Sequence, residues 1–533
     1  MSSPNSQTNS QPFSTQAIYW LLGIVALLGL LNLDRLPIAW NDEIQNLDPA
    51  LVWHNTGKFC SPLWPNPGAE AKFLSYPPLI EAWHCLWLFV GKSPWLLRLP
   101  FLFFHTITAW LFYRWIRRLL GDNPNHGMWA FFLTALFLFD KSTGEIARSL
   151  RVETPILLLV MILVGNFHDF LKAPTHKRTL IIGFTLGCLA IAHLYTWPLV
   201  ATALFLCILS LYKKQEYHQI PLLSVSLGLP LITFWLVLTP DWQDLKTQLF
   251  MQAADHSGLG VVQNITAFFL GRFYPYSLEQ PYTIALHFLY FLISYRLIKT
   301  QRHDLLLESW LPLFYLSISL PMMLFMAPQH RYFPIQHLLG LLLIALYVKS
   351  VWNKHQTSWL DVIPTWLTQR KIPSFQKPLR FVVLLLIIGP YFTRQASALI
   401  QRTQRNPQTA IDFLNQNLNH IPTGDILGEP IANYWLAQSP NPSKWRYGFE
   451  FYPQHFSFDP DRPRYFLSRA FPSQLPFLSV VDSLRISPSK LQQSLSLPSF
   501  GHTYNGLYLY KIPSSTAWKL LTRPEILRIT SGH

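Results

Sequence analysis

Apolar runs close to 20 residues long recur along the first 395 positions, at 17–33, 97–119, 128–140, 153–171, 179–195, 196–212, 220–238, 282–298, 305–325, 334–351 and 381–391. A helix of roughly 20 apolar residues crosses a hydrocarbon core about 30 Å thick, so the pattern predicts about eleven spanning helices, the shorter ones extending into their flanks. Beyond about residue 395 the pattern changes: Pro, Ser, Arg and Asn rise and no long apolar run remains. There, 410–418 repeats with helical period, and 424–428, 478–481 and 507–512 read as strands. The expected fold class is an all-α polytopic membrane protein with a C-terminal extracytoplasmic α/β domain. Its expected divisions are a disordered N-terminus (1–16), a transmembrane domain (17–395) and a soluble domain (396–533).

Composition agrees with this patterning. The 533 residues are 50% hydrophobic and only 13% charged, where a soluble chain would carry roughly a quarter charged residues. The formal charge of +15 does not indicate nucleic acid, because excess Lys and Arg in such a chain mark cytoplasmic loops. Residues 1–16 contain no Lys or Arg, and no small-residue cleavage site follows the first apolar run, which therefore reads as a retained helix. Four cysteines without a CxxC pair argue against a metal or redox framework; Cys60 and Cys85 fall in one external loop, within which a disulfide is conceivable.

Charge also sets the orientation. With the N-terminus cytoplasmic, the internal loops hold Arg114, Arg117 and Arg118, then 172–178, Lys213-Lys214, 299–303 and 353–380, which are the Lys/Arg clusters of the membrane half. An odd number of spans then places 396–533 outside. The first external loop, 34–96, is long and includes Tyr76-Pro77-Pro78-Leu79-Ile80-Glu81-Ala82-Trp83-His84, a Trp-rich amphipathic stretch too short to span and suited to the interface.

On this topology the ionisable residues collect at external helix ends. Asp42 and Glu43 follow the first span; Arg98 opens the second; Arg148 and Arg151 precede the fourth, which Glu153 opens; His330, Arg331 and Tyr332 precede the tenth. Acidic groups near hydrocarbon are costly and point to function. Arginines suit a phosphate or diphosphate, since the guanidinium is a planar, permanently charged donor fork. A carboxylate among them suits a general base. Plainer readings stand beside these: Arg98 can snorkel to headgroups, Arg148 and Arg151 can pair with Glu145 and Glu153, and His84, His105 and His193 fit packed or interfacial histidines. No compact zinc spacing and no GxxxxGK[ST] loop occurs.

At these motifs the chain resembles a family. Trp40-Asn41-Asp42-Glu43, Leu47-Asp48-Pro49-Ala50 and Thr56-Gly57-Lys58-Phe59 look like the first external loop of the GT-C glycosyltransferases, in the branch of protein O-mannosyltransferases and ArnT-like aminoarabinose transferases. Tyr76-Pro77-Pro78-Leu79, Gly91 and Arg98-Leu99-Pro100 are similar to that branch's interfacial helix and second span. The segment from Ala147 to Glu153 and Arg331-Tyr332-Phe333-Pro334 resemble its two arginine motifs. The likeness covers roughly 17–395.

The resemblance implies an enzyme of the membrane, transferring a sugar from a polyprenyl-phosphate donor to a lipid, polysaccharide or protein acceptor. Asp42 takes the general-base role, Glu43 positions acceptor or sugar, and Glu153 matches a second acidic position that is more often Asp. Arg98, Arg148, Arg151, His330, Arg331, Tyr332 and Tyr76 fall to substrate binding. The branch mostly needs no metal, although the acidic pair leaves room for a divalent ion. A bacterial inner membrane is the expected location. The competing class is a transporter or flippase of lipid-linked or anionic sugars, against which stand ionisable groups at helix ends rather than the midplane.

Overall fold

The computed structural model describes residues 15–35, 41–61, 69, 72–76, 78–121, 124–238, 242–256, 262, 279–300, 305–325, 333–355, 389, 391–418, 425–428, 431, 435, 464–470, 472–494, 503–521 and 523. Each of the first ten expected spans has its helix: α1 (Thr15–Leu31), α4 (Pro94–Leu120), α5 (Pro124–Phe139), α7 (Glu153–Lys172), α8 (His176–Ala190), α9 (Trp197–Lys213), α10 (Gln219–Leu238), α12 (Glu279–Thr300), α13 (Leu305–Phe325) and α14 (Phe333–His355). The eleventh, 381–391, lies outside the described residues except for Gly389 and Tyr391. Between them come α2 (Asn41–Thr56), α3 (Leu79–Leu88), α6 (Lys141–Ile146) and α11 (Trp242–His256). Among the described residues, five helices are long and apolar enough to cross a membrane, and three more are apolar but shorter. Large apolar side chains such as Trp20, Phe184, Phe205 and Leu236 face outward from these helices. Such a surface makes the chain an integral membrane protein.

Helices in hydrocarbon gain nothing by hiding Leu from water, so close approach of backbones decides which pairs form. Gly183 and Gly187, four residues apart on α8, let it lie directly on α10. A Cβ on Gly187 would stand 2.5 Å from the Leu227 carbonyl oxygen and 2.9 Å from Pro230 Cγ. Because the obstacle is backbone, it cannot swing aside. Gly187→Val is expected to lower stability by about 1–3 kcal/mol, read as a lower melting temperature in detergent. Gly23→Ala on α1, where an added Cβ meets nothing within 4 Å, serves as the control and should melt with the wild type.

The C-terminal residues form a four-stranded sheet of β1 (Asp425–Gly428), β2 (Arg464–Ser468), β3 (Ser479–Leu484) and β4 (Leu507–Lys511), in the order β1-β2-β4-β3. β1 and β2 run parallel; the other two pairings are antiparallel. Three strands and the helix α15 (Pro407–Leu418) fall where the sequence places them, whereas β2 was not expected. Side chains alternate across the sheet. Tyr465, Leu467, Leu507 and Leu509 share a core with Ile411 and Leu414 of α15, Leu47 and Leu51 of α2, and Leu97 and Phe101 of α4. Phe466, Tyr510 and Ile512 face the other way, onto Trp518 of α17 (Ser515–Leu521), which follows β4, while the short α16 (Lys490–Ser494) precedes that strand. The sheet is thus mounted on the end of the bundle where α2 and the head of α4 lie. Asn32 Nδ2 donating to Gln395 Oε1 at 3.1 Å ties the same end together. Cys60 and Cys85 are both free thiols, so the disulfide is not formed.

Candidate active site

Ser93 and Pro94 start α4 cleanly. The Ser93 hydroxyl accepts from the Leu96 N–H and Pro94 fills a position whose N–H would go unused. Arg98 therefore sits at the start of the second turn, aimed at α2. Its Nε donates to Glu43 Oε1 at 3.0 Å and its Nη2 to Glu43 Oε2 at 2.6 Å, while Nη1 donates to the Leu33 carbonyl at 2.9 Å. Both side chains are buried, at 1% and 0% exposure. The Leu150 N–H donates to the same Glu43 Oε1 at 3.0 Å, and Asn46 Nδ2 to the Leu150 carbonyl at 3.1 Å. One carboxylate thus fastens three segments: the start of α2, the head of α4, and the turn between α6 and α7. A buried charge is tolerated only when paired and hydrogen-bonded in this way.

Asp42 directly precedes Glu43 in the first turn of α2, so the clamp fixes the backbone that carries it. The next turn is held as well: Ser61 Oγ donates to Asp48 through a short hydrogen bond.

The α6–α7 turn is shaped locally. Asp140 caps α6 by accepting from the Ser142 and Thr143 N–H groups at 3.0 and 3.1 Å, and Thr154 Oγ1 returns to the Ile146 carbonyl at 2.7 Å. Within it Arg151 forms a buried two-pronged pair with Glu153, Nε to Oε2 at 2.9 Å and Nη2 to Oε1. Arg148 is different. Its Nε donates to the Gly144 carbonyl at 3.2 Å, its guanidinium lies 5.4 Å over the Tyr391 ring, and its Nη1 is buried without a hydrogen-bond partner. Burial holds this guanidinium below its ordinary pKa, with Tyr391 and Glu145 working against that shift and Arg394 and Arg98 adding to it. Glu145 itself bonds Arg394.

The structure therefore brings Glu43 and Arg98 together, with Leu150 and the Arg148–Glu153 segment adjoining. Arg98 and Arg151 were expected to present their forks to a phosphate; both forks face carboxylates instead. Glu43, expected to position acceptor or sugar, is enclosed by protein donors. Tyr76 stands on another wall, its ring 4.9 Å from that of His193. Its loop is held by Gln248 of α11, whose Oε1 accepts from the Leu74 N–H at 2.7 Å and the Ser75 hydroxyl at 3.2 Å. His330, Arg331 and Tyr332 lie outside the described residues. No three His, Cys, Asp or Glu side chains gather to hold a metal among the described residues, and Glu43, with donors on both oxygens, does not fit as a ligand.

Sequence reasoning passed over Glu81. His84 of α3 approaches the Asn46 backbone, and the rings of Phe89 and His54 meet at 4.4 Å. α3 therefore packs against α2, and Glu81 lies on it one turn before His84. Its carboxyl is buried, and neither oxygen has a hydrogen-bond partner. Burial pushes its pKa up to about 8 and that of His84 down to about 4, so both are neutral at pH 7. A single carboxylate inside an apolar, Trp-rich helix was the available signal.

The sign of the effect follows from linkage. The unfolded chain releases the Glu81 proton at an ordinary carboxylate pKa while the folded chain keeps it, so stability falls as pH rises through that window to about 8. Glu81→Gln is expected to melt with the wild type near pH 4 and to be more stable by about 2 kcal/mol or more above pH 8. Equal melting at both pH values would contradict this.

No protein-family model matches the chain, and no curated protein matches its sequence. Solved structures do. ArnT from Cupriavidus metallidurans bound to undecaprenyl phosphate aligns at TM-score 0.53 and 13% identity, over 94% of this chain and 99% of that one. The same protein in the apo state aligns at TM-score 0.54 and 11% identity over the same shares. The chain has the GT-C fold. The archaeal oligosaccharyltransferase AglB from Archaeoglobus fulgidus, in complex with an inhibitory peptide and a dolichol-phosphate, aligns at TM-score 0.40 and 13% identity, over 79% of this chain and 64% of that one. In GT-C terms the match with ArnT runs through both the helical bundle and the terminal sheet, since it spans nearly all of each chain.

Proposed function

We propose that this protein is a membrane glycosyltransferase, moving a sugar from a polyprenyl-phosphate donor to a lipid, polysaccharide or protein acceptor on the extracytoplasmic face. The observation that carries this reading is Arg148, a buried guanidinium with an N–H unpaired, near Arg98 and hence near the clamped start of α2. Unbalanced buried positive charge favours an anion, and a phosphate offers Arg the best-matched acceptors. The GT-C fold and the binding of undecaprenyl phosphate by ArnT support the same donor chemistry.

In this reading an acceptor hydroxyl attacks the anomeric carbon, the bond from that carbon to the phosphate oxygen breaks, and Asp42 takes the hydroxyl proton. Arg148 steadies the charge that grows on the leaving phosphate, with Arg331 and Tyr332 as further candidates. Glu43 and Arg98 act one step back, by fixing the helix turn that carries Asp42. Arg151 and Glu153 hold the turn that carries Arg148, and Tyr76 lines the approach. The N-terminus is cytoplasmic, residues 396–533 stand outside the membrane over α2 and α3, and a bacterial inner membrane is the proposed location.

The test is transfer itself. Purified protein in nanodiscs is given radiolabelled polyprenyl-phosphate sugars with envelope extracts, and labelled product is expected with at least one donor. Label that accumulates inside vesicles with no new glycosidic bond would instead identify a transporter.

A further inference from the structure

The other end of the bundle carries a second charged site. Arg117 lies nineteen residues along α4 from Arg98, about 28 Å away at helical rise. There α4, α7 and the start of α8 enclose a cavity of about 720 Å³. Five cationic side chains line it, Arg114, Arg117, Arg118, Lys177 and Arg178, against the single carboxylate of Asp169. That carboxylate is already engaged, by Arg118 at 3.3 Å and Arg178 at 3.5 Å. Arg117 keeps a buried Nη1 with no hydrogen-bond partner. The α8 N-terminus opens on the same cavity, with Thr175 as its cap and its first N–H groups unused by the helix.

The floor is of opposite character. Leu111, Met161, Ile162 and Ile181 make it apolar, and at Gly165 an added Cβ would meet nothing within 4 Å. A cavity with a cationic mouth and an apolar floor, at the end of membrane-crossing helices, matches a phosphate group borne on an acyl or prenyl chain. Charge clusters that only orient a membrane protein need no concavity and no apolar floor.

We propose that this cavity binds the phosphate headgroup of an anionic membrane lipid, with its chain running over Gly165. The site is separate from the proposed catalytic one and does not depend on that reading. A soluble phosphate would satisfy the same cations but would have no use for the floor, which separates the two sources. The attraction is electrostatic and only partly buried, so it weakens as salt rises.

Native mass spectrometry of the full chain tests this, with phosphatidylglycerol, phosphatidylcholine and inorganic phosphate as probes. The wild type is expected to retain one phosphatidylglycerol in preference to phosphatidylcholine. The double variant Arg117→Gln with Lys177→Gln should lose that preference by about tenfold, from two charge contacts. Gly165→Leu keeps every charge and fills the floor, and should cut retention as strongly while melting with the wild type. Equal retention by all three proteins overturns the proposal. Displacement by inorganic phosphate with no effect of Gly165→Leu also overturns it, in favour of a soluble anion.

Discussion

Truncating Glu43 to Ala is expected to lower stability by about 3–5 kcal/mol, the usual effect of leaving one member of a buried ion pair without its partner. The variant would take the carboxylate away from the Arg98 guanidinium, 1% exposed, and from the Leu150 N–H as well. Arg98→Lys should fall close behind, because a single ammonium cannot reproduce two parallel N–H bonds. The informative companion is the double replacement Glu43→Leu with Arg98→Met. Apolar residues of similar volume remove both charges, and such swaps are neutral or stabilising in other proteins. Melting in detergent should therefore return to near the wild-type value. Activity should not return with it if the clamp also aims Asp42, since an apolar pair holds α2 without the hydrogen bond to Leu150. Melting of Glu43→Ala within about 1 kcal/mol of the wild type would show that the pair is not what fixes this end of the bundle.

Why this clamp was hidden in the sequence while the bundle was not is a matter of range. A spanning helix must satisfy all its backbone groups internally and face lipid with apolar side chains, so each of α1, α4, α7 and α9 announces itself within some 20 residues. Glu43 and Arg98 lie 55 positions apart, and nothing local to either predicts the other. Arg151 and Glu153 are two apart, and their pairing was one of the readings the sequence offered. Glu81 was visible as a carboxylate in an apolar helix; that its carboxyl is buried without a hydrogen-bond partner only the fold shows. β2 escaped because Arg464-Tyr465-Phe466-Leu467-Ser468 is short and its core-facing residues point to both layers of the sheet. What the sequence did expose was a set of acids and arginines at helix ends, of which the structure joins Glu43 to Arg98 and sets the Leu150 turn against them.

Replacing Asp42 by Asn is expected to reduce sugar transfer by about 10²–10⁴-fold, the range a positioned general base contributes, with the melting temperature unchanged. The two effects separate because Asp42 and Glu43, though adjacent, do different work: Glu43 is consumed by Arg98 and Leu150, and Asp42 is carried by the turn that this fixes. Donor binding should survive, since the charge partner proposed for the phosphate is Arg148 and not the base. The loss should therefore fall on kcat with little change in KM for the donor, the mark of an interaction made in the transition state. The pH profile gives a second readout. Wild-type transfer should fall on the acid side as the base is protonated, and that limb should vanish in Asp42→Asn. Asp42→Glu, which keeps the carboxylate but moves it by one methylene, should recover part of the rate and restore the acid limb. A variant Asp42→Asn that transfers sugar at half the wild-type rate or better would move the base elsewhere, and Glu81, buried on the neighbouring α3, would be the next carboxylate to test.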